Sequence, residues 1–518
     1  TLAFGYPTVG ALAGYLGGLV GMPKAVEAAP VVEEEEEEDE EEQEEEEEVG
    51  APPPPAQPTP PTTAPVAWTP ATALVPASLP VGPIPPPHSA ALVLAIATRL
   101  PGGPGLGPDS PTAGAWPALS RGADLVAPIP PARWDVDAHY APPGASIPTL
   151  SMYARAGTFL RGVDAFDAAA FGLTAAEGGA TDPQGRLLLE AAAAVLTRTS
   201  SSSALPPPSR TGVYVGCMYQ EHAQAHYNLG LRIGPAVATG NGISYLAGRV
   251  SYTFGLQGPC LATDTACSSS LVATHLAASS IAADAADGAL AAGVNTMLLP
   301  ITTATICGLQ ALSPDGRCKT FDASADGYGR GEGAVAVLLG GGRGRGGMTA
   351  GYDAPLGLIA GSAVGQDGRS SALTAPSGPA QTALIKEAAG LAGYAPGDEG
   401  LASLHGTGTA LGDPIEVGAL AAAACDAQRA PLSLAASKAV FGHTEGAAGV
   451  TCLLAAVTSL EHRASPPAPC LRTLNPVVGA ALGEWAAAVG AGPSSPSSSP
   501  AAAIARQAAP LAVPPPAA

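Results

Sequence analysis

The chain is poor in aromatic residues and in basic charge. Phe, Trp and Tyr make up 4% of its 518 residues, and 23 Lys and Arg stand against 44 Asp and Glu. The net charge of −21 excludes the broad basic surface that binding to a phosphate backbone needs, so nucleic acid is not an expected partner. No uninterrupted apolar run reaches the roughly 18 residues of a membrane span, and no membrane partner is expected. The eight cysteines, at 217, 260, 267, 307, 318, 425, 452 and 470, make no C-x-x-C pair and no zinc-type spacing, so no metal is expected. Their dispersal through a long chain suits reduced thiols in a cytosol-like compartment. There is no P-loop, and the glycine-rich pieces lack the strand-to-helix context of a nucleotide site. Gly341–Gly347, with two arginines, is read as loop filler.

The charge that is present is unevenly placed. Residues 33–48 contain 14 Glu and one Asp; removing those fifteen charges from −21 leaves −6 for the remainder, a mildly acidic body. Such a run repels itself and stays extended or forms at most a solvated helix. Residues 52–87 are proline-rich and favour polyproline II, a semi-rigid spacer. Beyond residue 89 the pattern changes to buried-strand runs (Leu92–Ile96, Gly212–Gly216, Ala289–Leu299, Ala334–Leu339, Leu358–Val364). Helical stretches alternate with them (185–197, 379–392, Gly446–Leu460), which indicates α/β layers.

Chemistry is concentrated in three short stretches. Asp264-Thr-Ala-Cys267-Ser-Ser-Ser-Leu271 places a cysteine at the start of an expected helix, with Ser268 to Ser270 available to cap its first turn. A helix N-terminus favours thiolate and offers N–H groups to an oxyanion. His405 opens His-Gly-Thr-Gly-Thr-Ala-Leu-Gly-Asp-Pro-Ile-Glu (405–416), and Lys438-Ala-Val-Phe-Gly-His443-Thr-Glu follows. A lone cysteine usually packs as a small hydrophobe, and His222, His226 and His275 are read as structural. Cys267, His405 and His443 are separated from that reading by their company.

The order Cys267, His405, Lys438, His443, with spacings of 138, 33 and 5 residues, resembles the ketosynthase domain of modular polyketide synthases. Asp182-Pro-Gln-Gly-Arg-Leu-Leu-Leu-Glu190, Ser313–Asp322, Asp326–Gly333 and Gly361–Arg369 extend the likeness over residues 92–476. The resemblance implies a thiolase-like α/β fold, two similar halves in five α-β-α-β-α layers, flanked by a disordered linker and tail. It implies that Cys267 accepts an acyl group, and that His405 and His443 donate to the enolate formed when a malonyl-type thioester loses CO₂. A Claisen condensation then gives a β-ketoacyl product. Lys438 supplies positive charge near His443, Thr407 and Thr409 hold the phosphopantetheine arm, and Asp413 and Glu416 fix the loop. No cofactor is held by the domain itself. The expected partners are acyl carrier domains, acyl and malonyl-type thioesters and a second copy of the chain. The expected compartment is the cytoplasm, with a plastid as the alternative.

The expected organisation follows. Residues 1–21 resemble the last helix of an acyl carrier domain, without its phosphopantetheine serine. Residues 22–88 are linker, 89–480 the ketosynthase (halves 89–335 and 336–480), and 481–518 an Ala/Ser/Pro-rich disordered tail. Three departures from the family pattern stand out. Val440 occupies an Asn position, Thr181 a Met position, and the Gly-Phe-Gly-Gly-Thr-Asn loop expected after Asn475-Pro476 is not found. Two other readings therefore stand beside the elongating ketosynthase: a non-condensing, ketosynthase-like scaffold or inactive fragment, and a fatty-acid condensing domain.

Overall fold

Six apolar runs pair into one mixed sheet: β1 (Ala91–Arg99), β2 (Thr211–Gly216), β3 (Cys260–Thr263), β4 (Gly288–Asn295), β5 (Gly333–Gly341) and β6 (Gly357–Ile359). The computed structural model describes residues 90–102, 114–142, 150–197, 210–230, 233–341, 355–397, 400–424 and 432–488. The strand order is β3-β2-β4-β5-β1-β6. The β2 strand runs parallel to β3 and β4, whereas β5 is antiparallel to both of its neighbours, β4 and β1. A second, parallel pair joins β7 (Leu401–Ser403) to β8 (Ser433–Ala435).

The large sheet is apolar on both faces because helices cover both. Val213 and Val215, Leu290 and Ala292, and Ala336 and Leu338 point to one side. There they meet Leu188 and Val195 of α1 (Pro183–Thr197) and Leu246 and Val250 of α2 (Ile243–Phe254). The alternate residues Tyr214, Ala289, Ala291, Val335 and Val337 point to the other. They pack on Ala273 and Ala277 of α3 (Ser269–Ala282) and, further along the chain, on Val450 and Leu454 of the helix Ala448–His462. Burial on two faces explains why these strands read as continuous apolar runs rather than alternating ones. Each large side chain taken fully out of water contributes about 1.5–3 kcal/mol.

The second half builds outward from there. It comprises α4 (Gly378–Ala392), α5 (Gly412–Ala423), α6 (Ala448–His462) and α7 (Pro476–Ala488). The α6 helix lies between α3 and β7. Leu404, Leu432 and Leu434 then pack against Val417 and Leu420 of α5 and Val478, Leu482 and Trp485 of α7. The layers run α1/α2, large sheet, α3/α6, β7–β8, then α4/α5/α7, the five-layer order expected.

Three boundaries are corrected. The division at 335/336 falls inside β5, whose register with β1 and β4 is unbroken there, so the halves cannot part at that point. The tail cannot begin at 481, because α7 continues to Ala488 and buries Val478, Leu482 and Trp485 at helical spacing; Trp485 Nε1 also donates to the Ala424 carbonyl at 3.1 Å. The strand expected over Leu358–Val364 ends at Ile359; among the described residues β6 is an edge strand with β1 as its one partner. The carrier-like helix 1–21, the linker 22–88 and residues 489–518 lie outside the described residues.

Two strand ends are kept bare so that α3 can approach them. A Cβ on Gly216 would collide with the backbone of Ser270, and one on Gly293 would lie 2.5 Å from Ser270 Cβ. Gly216→Ala is therefore expected to cost about 1–3 kcal/mol in overpacking. The check is urea denaturation. An unchanged midpoint would show that the α3 N-terminus has slack at this contact.

Candidate functional site

Cys267 sits in a tight turn between β3 and α3. Asp264 Oδ1 accepts from Ala266 N at 2.9 Å, and Ala266 takes the left-handed conformation, φ 56°. A non-glycine residue held there costs on the order of 1–3 kcal/mol and persists only when its surroundings fix it. The serines do not cap α3 as expected. Ser268, the N-cap residue, has αR backbone angles and no side-chain cap bond. Its Oγ donates back to the Thr265 carbonyl at 2.7 Å, and Ser269 Oγ accepts from Thr265 N at 2.9 Å. These two hydroxyls are spent on the turn that presents Cys267, Ser270 Oγ accepts from Val450 N at 3.2 Å, and the first-turn N–H groups of Ser269 and Leu271 donate to the Ala266 and Ser268 carbonyls.

His443 is placed by a buried ionic frame. Arg330 grips Glu445 with Nε–Oε1 at 2.7 Å and Nη2–Oε2 at 2.8 Å, and Asn295 Nδ2 donates to the same Oε2 at 2.9 Å. The chain beside Arg330 runs along the His443 turn: His443 N donates to the Gly329 carbonyl at 2.7 Å and Gly331 N to the His443 carbonyl at 2.8 Å. Glu445 N in turn donates to His443 Nδ1 at 3.0 Å. An imidazole accepting at Nδ1 carries its proton on Nε2, so the tautomer is fixed. The Tyr328 ring packs beside it, centroids 4.8 Å apart.

His405 reaches the same arrangement by another route. Glu416 accepts from the backbone N–H of His405 (2.5 Å) and Gly406 (2.8 Å), and Asp413 accepts from Phe321 N (2.9 Å) and Gly408 N (3.0 Å). These two carboxylates fix the loop, as expected. Lys438 Nζ lies 3.4 Å from His405 Nδ1, so the ammonium occupies that nitrogen and the Nε2 proton is again the free donor. The two imidazoles meet edge to face, centroids 5.4 Å apart. Solvent reaches His405 from one side, although protein encloses the rest of its ring.

Cys267, His405 and His443 converge: the sulfur and one nitrogen of each ring all lie within 4.8 Å of one another. That is a zinc-type donor set, but the tautomers oppose such a use. Each Nε2 would have to lose its proton, and each Nδ1 would have to gain one while facing a donor. Thr407 is buried, and its hydroxyl lies 3.2 Å from that of Thr409. Thr409 Oγ1 also accepts from Gly412 N at 3.1 Å, closing the turn into α5. Val440, at the Asn position, packs in the apolar cluster with Phe441 and Val450. A cavity of about 350 Å³ lined by Met152, Tyr153, Cys307, Leu312 and Asp326 has none of the three converging residues in its walls.

The electrostatics act unequally on the three groups. The Lys438 charge, followed by burial, holds His405 well below 6.5. Burial, followed by Lys438, does the same for His443. Burial raises the Cys267 thiol above its ordinary 9.0, with Lys438 opposing it. Burial and the Lys438 charge thus act on the thiol in opposite directions, and burial is the larger influence. Arg330, Glu445, Asn295 and Tyr328 were given no role from sequence. The signal lay in the two motifs that contain Arg330 and Glu445, but only folding pairs them.

This fold and convergence define a condensing acyltransferase of thiolase-like architecture. The family model for the beta-ketoacyl synthase N-terminal domain matches residues 90–342, and that for the C-terminal domain matches 356–471. The chain belongs to the beta-ketoacyl synthase family. It is 39% identical over 392 residues to a phenolphthiocerol/phthiocerol polyketide synthase of Mycobacterium tuberculosis, covering 75% of this chain and 21% of that protein. It is 41% identical over 375 residues to a mycocerosic acid synthase-like polyketide synthase of the same organism, covering 72% and 17%. The oxazolomycin ketosynthase domain of Streptomyces albus superposes with a TM-score of 0.68 at 34% identity, over 75% of this chain and 66% of that one. The matched region thus spans about a fifth of the length of these curated relatives. They are bacterial and lend no support to a plastid. Among the described residues, no helix is long and apolar enough to cross a membrane.

The pKa directions set a sign for stability against pH. Folded His443 stays neutral below 6.5, where the unfolded chain takes up the proton, so stability is full above pH ~6.5 and falls as pH drops through it. The expected slope from His443 is about 1.4 kcal/mol per pH unit below that point. Urea midpoints between pH 7.5 and 5 should show the fall, and His443→Gln should flatten it. Lys438→Met, which removes the larger cause, should raise the His405 pKa in an NMR titration; an unchanged value would sink this assignment.

Proposed function

We propose that the domain elongates a polyketide-type chain, with Cys267 as nucleophile, His405 and His443 as enolate donors, and Lys438 as the charge that sets their protonation. One observation supports this reading above the rest: two neutral imidazoles, each occupied at Nδ1, stand beside a single thiol. Cys267 Sγ attacks the acyl thioester on a carrier. Its proton ends on the departing pantetheine sulfur, so no base is consumed. A malonyl-type thioester then binds, and the C–CO₂ bond breaks. Its electron pair builds charge on the thioester oxygen, to which the two Nε2–H groups donate. The carbon of that enolate attacks the Cys267 thioester, the C–S bond breaks, the β-ketoacyl product leaves on its carrier, and the released sulfur takes a proton from solvent to restore the thiol.

Acyl carrier domains bearing phosphopantetheine are the proposed partners, with Thr407 the better placed of the two threonines to meet the arm, since Thr409 holds its own turn. No further cofactor is required, and a cytoplasmic setting is proposed. A homodimer is proposed through β3. This is an edge strand with Cys260 and Leu261 exposed, and Tyr252 of α2 is 84% exposed. An exposed apolar edge invites pairing. Sedimentation at micromolar concentration should give a dimer, and a monomer would refute the edge assignment.

Intact mass after mixing with a short acyl thioester should show one adduct, absent in Cys267→Ala. Malonyl-thioester decarboxylation should fall on the order of 10²–10³-fold in His405→Ala or His443→Ala, the scale of a lost oxyanion donor. A folded protein that takes up no acyl group would overturn the condensing reading in favour of the non-condensing scaffold.

A further inference from the structure

Cys452 on α6 takes no part in the chemistry above, yet its surroundings differ from those of the other thiols. Cys217 faces the Gln184 side-chain oxygen and the Tyr219 carbonyl, Cys318 the Gly329 carbonyl and Cys470 the Ala439 carbonyl. Cys452 Sγ also faces a carbonyl, that of Leu404 at 3.8 Å, but it lies in addition 3.8 Å from Lys438 Nζ and 3.5 Å from Ser437 Oγ. Lys438 is 3% exposed, and its ammonium can donate three hydrogen bonds. Among the described residues it has two hydrogen-bond partners, His405 Nδ1 at 3.4 Å and Cys452 Sγ at 3.8 Å, and no carboxylate within ion-pair distance. A buried ammonium with two long contacts is under-satisfied, and it is aimed at a half-buried thiol.

We propose that Lys438 and Cys452 form an oxidation-sensitive pair that hydrogen peroxide joins through a covalent S–N bond. In the first step the Cys452 sulfur attacks a peroxide oxygen and the O–O bond breaks. Cys452 becomes the sulfenic acid, and water leaves. Sulfenic acids condense with nearby nitrogen to sulfenamides. The Lys438 ammonium loses one proton to solvent. The freed amine lone pair then attacks sulfur, the S–OH bond breaks, and the hydroxide leaves as a second water with one proton taken from the attacking nitrogen. Peroxide is reduced to two waters, sulfur is oxidised by two electrons, and the side chains together lose two hydrogens. Thiols reverse the bond by attack at sulfur. Bond formation does not depend on the condensing function. Its consequence does: a tethered Nζ is withdrawn from His405 Nδ1, the contact that fixes the donor tautomer.

Trypsin reads the result directly. Cleavage after Arg429, Lys438 and Arg463 releases 430–438 and 439–463, and the second piece holds a single cysteine, Cys452. The chain carrying Cys267→Ser, which removes the competing thiol, is treated with peroxide and digested. The expected product is one peptide, 430–463, uncut at Lys438 and lighter than its linear form by two hydrogens; dithiothreitol should restore cleavage. Cys452→Ala should yield none of it, and Lys438→Met should stop at oxygen adducts of Cys452. Because mapping of the Cys267→Ser chain needs neither of those variants to fold, a misfolded variant leaves the test intact. Two results would overturn the proposal. One is Cys452 carrying only added oxygen while Lys438 is still cut. The other is Cys452 unmodified, or in disulfide linkage to another peptide, under conditions that oxidise the remaining thiols. Malonyl decarboxylation by the untreated protein tests the condensing reading separately.

Discussion

The arrangement around Cys267 depends on one buried ion pair, Arg330 with Glu445. Both side chains are essentially inaccessible, and their two parallel bonds of 2.7 and 2.8 Å satisfy a fork with a fork. Such a pair contributes little net stability, since desolvation offsets its attraction, but removing one partner costs about 3–5 kcal/mol. Its effect here is placement. The backbone on either side of Arg330 bonds to His443, and the backbone N–H of Glu445 holds the ring nitrogen of the same histidine. The frame joins three parts of the chain, since Asn295 at the end of β4 donates to the same carboxylate. Large sheet and His443 turn are thereby set against each other.

Packing supplies the second constraint. The α3 and α6 helices form the middle layer, and the turn bearing Cys267 and the segment bearing His443 lie at their starts. Close approach at Gly449, where a Cβ would fall 2.6 Å from Leu271, brings these starts together. The two starts are also bonded to each other, since Val450 N in the first turn of α6 donates to Ser270 Oγ in the first turn of α3 at 3.2 Å.

Much of this was legible in the sequence because the signals were local. Continuous apolar runs marked the large sheet, and the stretches around Cys267, His405 and His443 carried their own turn residues. Asp413 and Glu416 bond only to nearby backbone and to Phe321, and their structural task was foreseeable. What escaped notice was non-local or depended on a balance of forces. Arg330 and Glu445 are 115 residues apart, and neither stretch names its partner. The serines after Cys267 looked like caps, but φ 56° at Ala266 tightens the turn and diverts the Ser268 and Ser269 hydroxyls to it. The end of the domain was misplaced because Ala-rich sequence reads as tail, whereas Val478, Leu482 and Trp485 give α7 a buried face.

The thiol was misjudged for a different reason, and the correction explains how one site holds both kinds of group. Burial disfavours every charged form. It raises a thiol and lowers an imidazole. The Lys438 charge lowers both. At His405 and His443 the two influences agree, so the rings stay neutral and keep the Nε2 protons that an enolate oxygen needs. At Cys267 they oppose each other, and burial prevails in the resting state. A protonated thiol suits a step in which the leaving pantetheine sulfur can take the proton. Lys438 thus does more as a buried charge at fixed range than it would as an acid or base, and whatever moves its Nζ alters all three groups at once.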